Sequence, residues 1–91
     1  MTEAPWDLIV AGPARRAIDR LPDKIALAVL DYLVGPFLEN PHRVGKALRG
    51  DLAGLHSARV GAYRIVYEIN QDNHTVRVIY IDHRADIYRP W

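Results

Sequence analysis

Two arginines, Arg59 and Arg64, bracket the stretch Val60-Gly61-Ala62-Tyr63. Glycine at the first central position of a two-residue loop is the signal for a type II′ hairpin, whose flanking residues pair directly. The spacing therefore predicts that Val60 faces Tyr63, Arg59 faces Arg64 and Ala58 faces Ile65. Like charges directly opposite on a sheet are destabilising, by a fraction of a kcal/mol up to roughly 1. Folding alone gives no reason to place them so, whereas two guanidiniums converging on one spot suit a phosphate. The chain closes on a second group of the same kind, "HRADIYR" at 83–89, which holds His83, Arg84, Tyr88 and Arg89.

Taken singly, each of these residues has a plainer reading. Either arginine alone is a solvated surface residue, His83 a strand-end residue and Tyr88 a packing aromatic. The facing pair is what points to an anion. Arg15, Arg16 and Arg20 share a helix with Asp19 and lie close to Asp23, so they read as a solvated face. His42, His56 and His74 have no metal-ligand spacing, and no metal or other cofactor is expected.

The elements that must position these residues follow from periodicity. "WDLIV" at 6–10 reads as a short strand turned by Gly12-Pro13. Ala14, Ala17, Ile18 and Leu21 recur at helical spacing, which predicts a short helix over 13–21. Pro22 and Asp23 suit the first turn of a second helix, which runs through Ile25, Val29, Leu30, Leu33 and Val34 until Gly35-Pro36 ends or kinks it. The two helices form a hairpin, and "FLENP" adds a last turn or a loop. From about Leu55 the period becomes two. A second hairpin turns at "NQDNHT", and its register sets Ile69 opposite Val76, Glu68 opposite Arg77, Tyr67 opposite Val78, Val66 opposite Ile79, Ile65 opposite Tyr80 and Arg64 opposite Ile81. One sheet face then gathers Ala58, Val60, Tyr63, Ile65, Tyr67, Ile69, Val76, Val78 and Tyr80 for the helices to cover. The other, left open, gathers Ser57, Arg59, Arg64, Val66, Glu68, Arg77, Ile79 and Ile81, with His83 and Arg84 at its end beside the arginine pair. The fold class is α+β: a short N-terminal strand, a two-helix hairpin, then an antiparallel sheet with helices on one face.

Composition sets the limits. Residues 1–91 read as a single domain, small enough that stability should be marginal and a partner could add to it. The absence of cysteine fits a reducing cytosol, and an acidic N-terminus without an apolar core gives no secretion signal, so a cytoplasmic location is expected. No apolar stretch is long enough to span a bilayer. A net charge of +1 hides an asymmetry: residues 1–42 hold four Lys/Arg against six Asp/Glu, and residues 43–91 hold eight against five. The basic half suggests an anionic partner.

The run "ALRGDLAGLHSARVGAYRIVYEI" followed by "VRVIYIDHRADIYR" resembles the RelE toxins of bacterial toxin–antitoxin pairs, within the RelE/ParE superfamily. The resemblance extends over almost the whole chain. It implies an mRNA endonuclease acting on message in the ribosomal A site, and a RelB-type antitoxin partner that wraps and silences the toxin. It also implies that Arg64 stabilises the transition state, that Arg59 is the basic residue before the glycine turn, and that Arg84 and Tyr88 form the closing pair. Arg49 stands at the "LRG" arginine; with Lys46, Ser57 and Arg89 it is a candidate for RNA and ribosome binding. The chain departs from the family pattern at His56, Ser57 and Asp82. The chemistry implied is in-line attack by the RNA 2′-hydroxyl, with Tyr88 or His83 as base and His83 or an arginine as acid, and it needs no metal. ParE members of the superfamily share the hairpin and an "H.R.D"-like end but bind DNA gyrase, and an inactive, antitoxin-binding member is a third reading.

Overall fold

The computed structural model describes residues 6–83. Strand β1 (Asp7–Val10) leads into helix α1 (Gly12–Arg20), α2 (Asp23–Val34) and two single helical turns, α3 (Pro36–Glu39) and α4 (Pro41–Val44). A two-residue strand β2 (Lys46–Ala47) and a 3₁₀ turn (Gly50–Leu52) follow, and then the long strands β3 (His56–Val60), β4 (Tyr63–Asn70) and β5 (Thr75–His83). Among the described residues, no helix is long and apolar enough to cross a membrane.

Proline and glycine punctuate the helices. Leu21, which precedes Pro22, is extended with ψ 148°, so α1 stops there. Pro22 then starts α2, its carbonyl accepting from the Ile25 and Ala26 amides at 2.9 Å. Gly35 closes α2 by donating to the Tyr32 carbonyl at 3.3 Å. Prolines at the start of α3 and α4 keep "PFLENP" as two separate turns rather than one helix. Those turns bury Phe37 and Pro41.

The sheet order is β1-β5-β4-β3-β2. All neighbours are antiparallel except β1, which runs parallel to β5 with Leu8 beside Val76 and Ile9 beside Arg77. The sheet is therefore mixed, not purely antiparallel: after β1 the helical hairpin carries the chain over one face, and the sheet's last strand returns alongside the first. Both edge strands, β1 and β2, are short, which limits the unpaired backbone offered to other chains.

The first hairpin has the expected register, with Arg59 opposite Arg64 and Val60 opposite Tyr63. Gly61 has φ +59°, the left-handed conformation that a primed two-residue turn requires. The second hairpin keeps the expected pairing only as far as Tyr67 opposite Val78. There a bulge intervenes, so Val66 pairs with Tyr80, Ile65 with Ile81, Arg64 with Asp82 and Tyr63 with His83. Ile79 is the extra residue. Strict alternation would leave both Ile79 and Ile81 on the open face; the bulge buries Ile81 and sets Tyr80 opposite Val66 instead. Tyr80 thus leaves the helix-covered face predicted for it, and Ile81 joins that face.

The core lies between α1–α3 and one sheet face: Ala14, Val29, Leu33 and Phe37 pack on Ala58, Ile65, Tyr67, Val76, Val78 and Ile81. Tyr67 is fully buried, its ring edge-on to Phe37 at 4.6 Å, and its hydroxyl donates to the Pro41 carbonyl at 2.6 Å. Burial pushes that phenol up to about 12, so it remains a donor. Gly45 packs on the same spot. A Cβ there would collide with the Tyr67 hydroxyl and lie 2.6 Å from the Ser57 carbonyl oxygen. Gly45→Ala should therefore force the α4–β2 turn off the sheet and lower stability by about 1–3 kcal/mol, the usual cost of overpacking. Urea unfolding measures it, and an unchanged midpoint would contradict this packing.

Candidate functional site

Residues opposite one another in a sheet share a face, so the site can be built from the register alone. The helices cover the face of Ala58, Ile65 and Tyr67. The other face carries a row Arg59–Arg64–Asp82 across β3, β4 and β5, and a neighbouring row Lys46–Ser57–Val66–Tyr80 that begins on β2. Arg59 and Lys46 are exposed, while Arg64, Ser57, Tyr80 and Asp82 are half-buried. Further along, Glu68 faces Arg77, so that end is balanced in charge. The positive end is the one near the Gly61 turn.

Four of the residues singled out in the sequence, Lys46, Ser57, Arg59 and Arg64, thus come together on one face. Arg49 is exposed in the loop that follows β2, just before the 3₁₀ turn, at the same edge of the sheet. His83 does not join them. The bulge gives the β5 end the opposite phase, so His83 sits opposite Tyr63 with the rings edge-on at 5.3 Å, on the helix-covered side. The expectation that His83 stands beside the arginine pair is corrected on that ground. Arg84, Tyr88 and Arg89 lie outside the described residues.

In the place expected for Ile81 opposite Arg64 stands Asp82. Its carboxylate also accepts the His83 backbone N–H at 2.8 Å. The pairing puts a negative charge in the same row as the two arginines. Tyr80 is a second arrival on the open face. Burial first, then the charge of Asp82, pushes its hydroxyl up to about 12, so near neutrality it offers a proton and cannot accept one as a base. The sequence marked Asp82 only as a departure from the family pattern and set Tyr80 on the helix-covered face, because "VIYID" alternates equally well in either phase. The available signal was the cost of leaving two isoleucines on the open face.

A cleft of about 690 Å3 borders the row at Tyr80 and Asp82, where Ala17, Arg20 and Leu21 of the α1 end face Tyr63, Ile81 and His83. It is a concavity between helix and sheet, whereas the arginine pair occupies the open face. A long polyanion needs a face more than a pocket, so the arginine row is the stronger site.

The chain is a two-layer α+β domain with paired arginines on the sheet face turned away from its helices. Residues 8–88 match the model of a family described as the ParE toxin of type II toxin–antitoxin systems. The chain is 49% identical over 85 residues to Toxin RelE of Mycobacterium tuberculosis, covering 93% of this chain and 88% of that one. It is 45% identical over 85 residues to Toxin RelG of the same organism, covering 93% and 98%. The solved toxin–antitoxin complex RelBE2 from Mycobacterium tuberculosis superposes with a TM-score of 0.86 at 41% identity, covering 93% of this chain and 98% of that one. The chain belongs to the RelE/ParE family of toxins of type II toxin–antitoxin systems.

The arrangement has a measurable cost in the free protein. Replacing Arg59, the exposed member of the pair, by Gln removes the like-charge contact while keeping the strand. Arg59→Gln should raise stability by a few tenths of a kcal/mol up to about 1 at low ionic strength. Added salt should narrow the difference. Guanidine is itself a salt, so urea titrations at two salt concentrations are the appropriate measurement. A loss of stability would mean that Arg59 is held by contacts stronger than the repulsion.

Proposed function

We propose that this toxin is a ribosome-dependent endoribonuclease that cleaves message in the A site, with Arg59 and Arg64 holding the scissile phosphate. The direct pairing of Arg59 with Arg64 on the uncovered sheet face carries this reading. In the reaction the 2′-oxygen attacks the adjacent phosphorus in line, negative charge builds on the non-bridging oxygens, and the 5′-oxygen leaves. Fixed guanidiniums aimed at that charge provide electrostatic stabilisation at the moment it is needed. Arg64, half-buried and opposite Asp82, is the better oriented of the two; Arg59, more exposed, adds charge and reach. Lys46 and Ser57, one row away, extend the grip along the RNA backbone.

Proton transfer needs a further group. Tyr80 stays protonated and His83 belongs to the other face, so neither serves as base. Tyr88 takes that role in this reading, with Arg84 assisting the leaving oxygen, as the family resemblance implies. A RelB-type antitoxin neutralises the toxin: the relative at 41% identity was solved as a toxin–antitoxin complex. The outward face of α2 supports such a partner, because Leu27, Leu30 and Val34 are 62%, 43% and 67% exposed at successive turns.

Two substitutions test the chemistry on programmed ribosomes. Arg64→Ala should reduce the cleavage rate about 10²–10³-fold, the usual effect of losing one donor to developing charge, with circular dichroism unchanged. Tyr88→Phe should cost about 10²–10⁴-fold if the hydroxyl moves the proton. A protein that leaves ribosome-bound message whole and instead inhibits purified DNA gyrase would overturn the nuclease reading.

A further inference from the structure

The end of the molecule by the β4–β5 turn holds an aromatic cluster that the arginine row does not use. Trp6 stacks on His74 with ring centroids 3.8 Å apart and planes 15° apart. It also meets His42 of α4 edge-on at 5.8 Å. His42 lies edge-on to His56 of β3 at 6.3 Å, and His56 stacks on Tyr67 at 5.5 Å. These histidines come from three parts of the chain, and the fold brings them into one line of rings.

The His56 ring favours the neutral form. The Gln71 amide nitrogen is 2.6 Å from His42 Nε2, a contact that ties the α4 ring to the β4–β5 turn. His56 Nδ1 is enclosed and has no hydrogen-bond partner. In a neutral ring Nδ1 can be a bare lone pair, whereas a charged ring would enclose an unpaired N–H. Burial, and then the charge of His42, lower the His56 pKa from its ordinary value. The titratable groups facing this pair are each other, Tyr67 from β4 and, through Trp6, His74 from the turn. On β2 the neighbour of His56 is Ala47, which is uncharged, while Lys46 pairs with Ser57 on the opposite face.

Next to these rings lies the basic edge, since His56 pairs with Ala47 of β2. Strand β2 is two residues long and pairs only with β3, through Lys46 opposite Ser57 and Ala47 opposite His56. Beyond it the Leu48 amide donates to the Leu55 carbonyl at 2.9 Å, closing the loop that contains Arg49. Such a short strand has little pairing of its own and depends on the layer beneath it.

We propose that His56, with the His42 ring packed against it, is a positioning residue for this edge: neutral, it holds β2 and the Arg49 loop against β3, and its protonation releases them. The direction follows from linkage. Released, His56 regains an ordinary pKa near 6.5 and binds protons more readily than in the closed edge. The closed edge is therefore favoured fully above about pH 6.5 and is lost as pH falls through the lowered folded value. Under the nuclease reading, on which only this consequence rests, release loosens the grip on RNA and raises KM more than it lowers kcat.

Amide hydrogen exchange on the full-length, 15N-labelled chain tests the latch without any activity assay. The Leu48 amide reports the edge, and the Ala11 amide, which donates to the Val78 carbonyl at 2.9 Å near the opposite edge, is the reference. Corrected for intrinsic rates, Leu48 protection should fall between about pH 7.5 and 5.5, approaching tenfold for each unit by which the His56 pKa is lowered. Ala11 protection should hold. His56→Phe keeps the ring stack and removes the titration, so the pH dependence should vanish; His42→Gln should make it shallower. Equal Leu48 protection at both pH values, or persistence of the loss in His56→Phe, overturns the proposal. Should His56→Phe not fold, the ring resonances of His56 in the unmodified chain decide: titration at or above 6.5 overturns it, titration below supports it. Failure on ribosomes with a working latch counts against the nuclease reading alone.

Discussion

The two-residue turn at Gly61-Ala62 holds Arg59 and Arg64 opposite each other, and the rest of the open face is set by that pairing. With φ +59° at Gly61, the turn leaves no slack for β3 and β4 to slip. Once those strands are locked, alternation commits Ala58, Ile65 and Tyr67 to the helices and Ser57, Arg59, Arg64 and Val66 to the other side. A one-residue slip would bury both arginines under α2 and expose the core of a small domain. The hydrophobic requirement of one face therefore enforces an electrostatic penalty on the other. The penalty is at most about 1 kcal/mol, whereas each large core side chain contributes roughly 1.5–3. The core wins, and the charge pair is held without the charges having to favour it.

The same asymmetry explains how much of this was legible in the sequence. Gly61 between alternating apolar residues specified the first hairpin, and the register came out residue for residue. The helices α1 and α2 were legible within one residue at each end, because Pro22, Gly35 and Pro36 act through local sterics, whereas the turn α4 was not foreseen. Local sequence could not specify β5 beyond Val78. "VIYIDH" supports two phases, and the choice between them depends on whether Ile81 or Tyr80 finds room under α1, which is a packing question. Nor could it reveal that β1 runs parallel to β5, since a four-residue strand carries no information about its partner. The site was readable where it rests on the turn and unreadable where it rests on the bulge.

The bulge also decides what kind of chemistry the face supports. In unbroken register the His83 imidazole would stand by the arginines. Shifted by one, the face instead presents Asp82, a negative charge in the same row as the arginines, and Tyr80, whose proton is held too tightly for a base. The described part of the open face is thus strong in fixed positive charge and poor in proton acceptors of suitable pKa. In the proposed nuclease reaction such a surface would stabilise a developing phosphorane through placement, and proton transfer would come from elsewhere on the chain or from the RNA and its surroundings.

That division of labour gives the β2 edge its significance. Arg59 and Arg64 are anchored by two long strands, while Lys46 hangs on a two-residue pairing and Arg49 on the loop beyond it. Gly45 lets that edge approach the sheet closely enough to meet Tyr67, and Tyr67 in turn reaches Pro41 and carries the His56 ring on its face. Rigid and adjustable cations therefore sit on one face with different supports. In the proposed reading the long strands would fix where a phosphate is polarised, and the weakly paired edge how firmly the rest of the RNA strand is held. Local opening at such an edge requires far less free energy than unfolding the sheet, so binding can be tuned there while the arginine pair keeps its geometry.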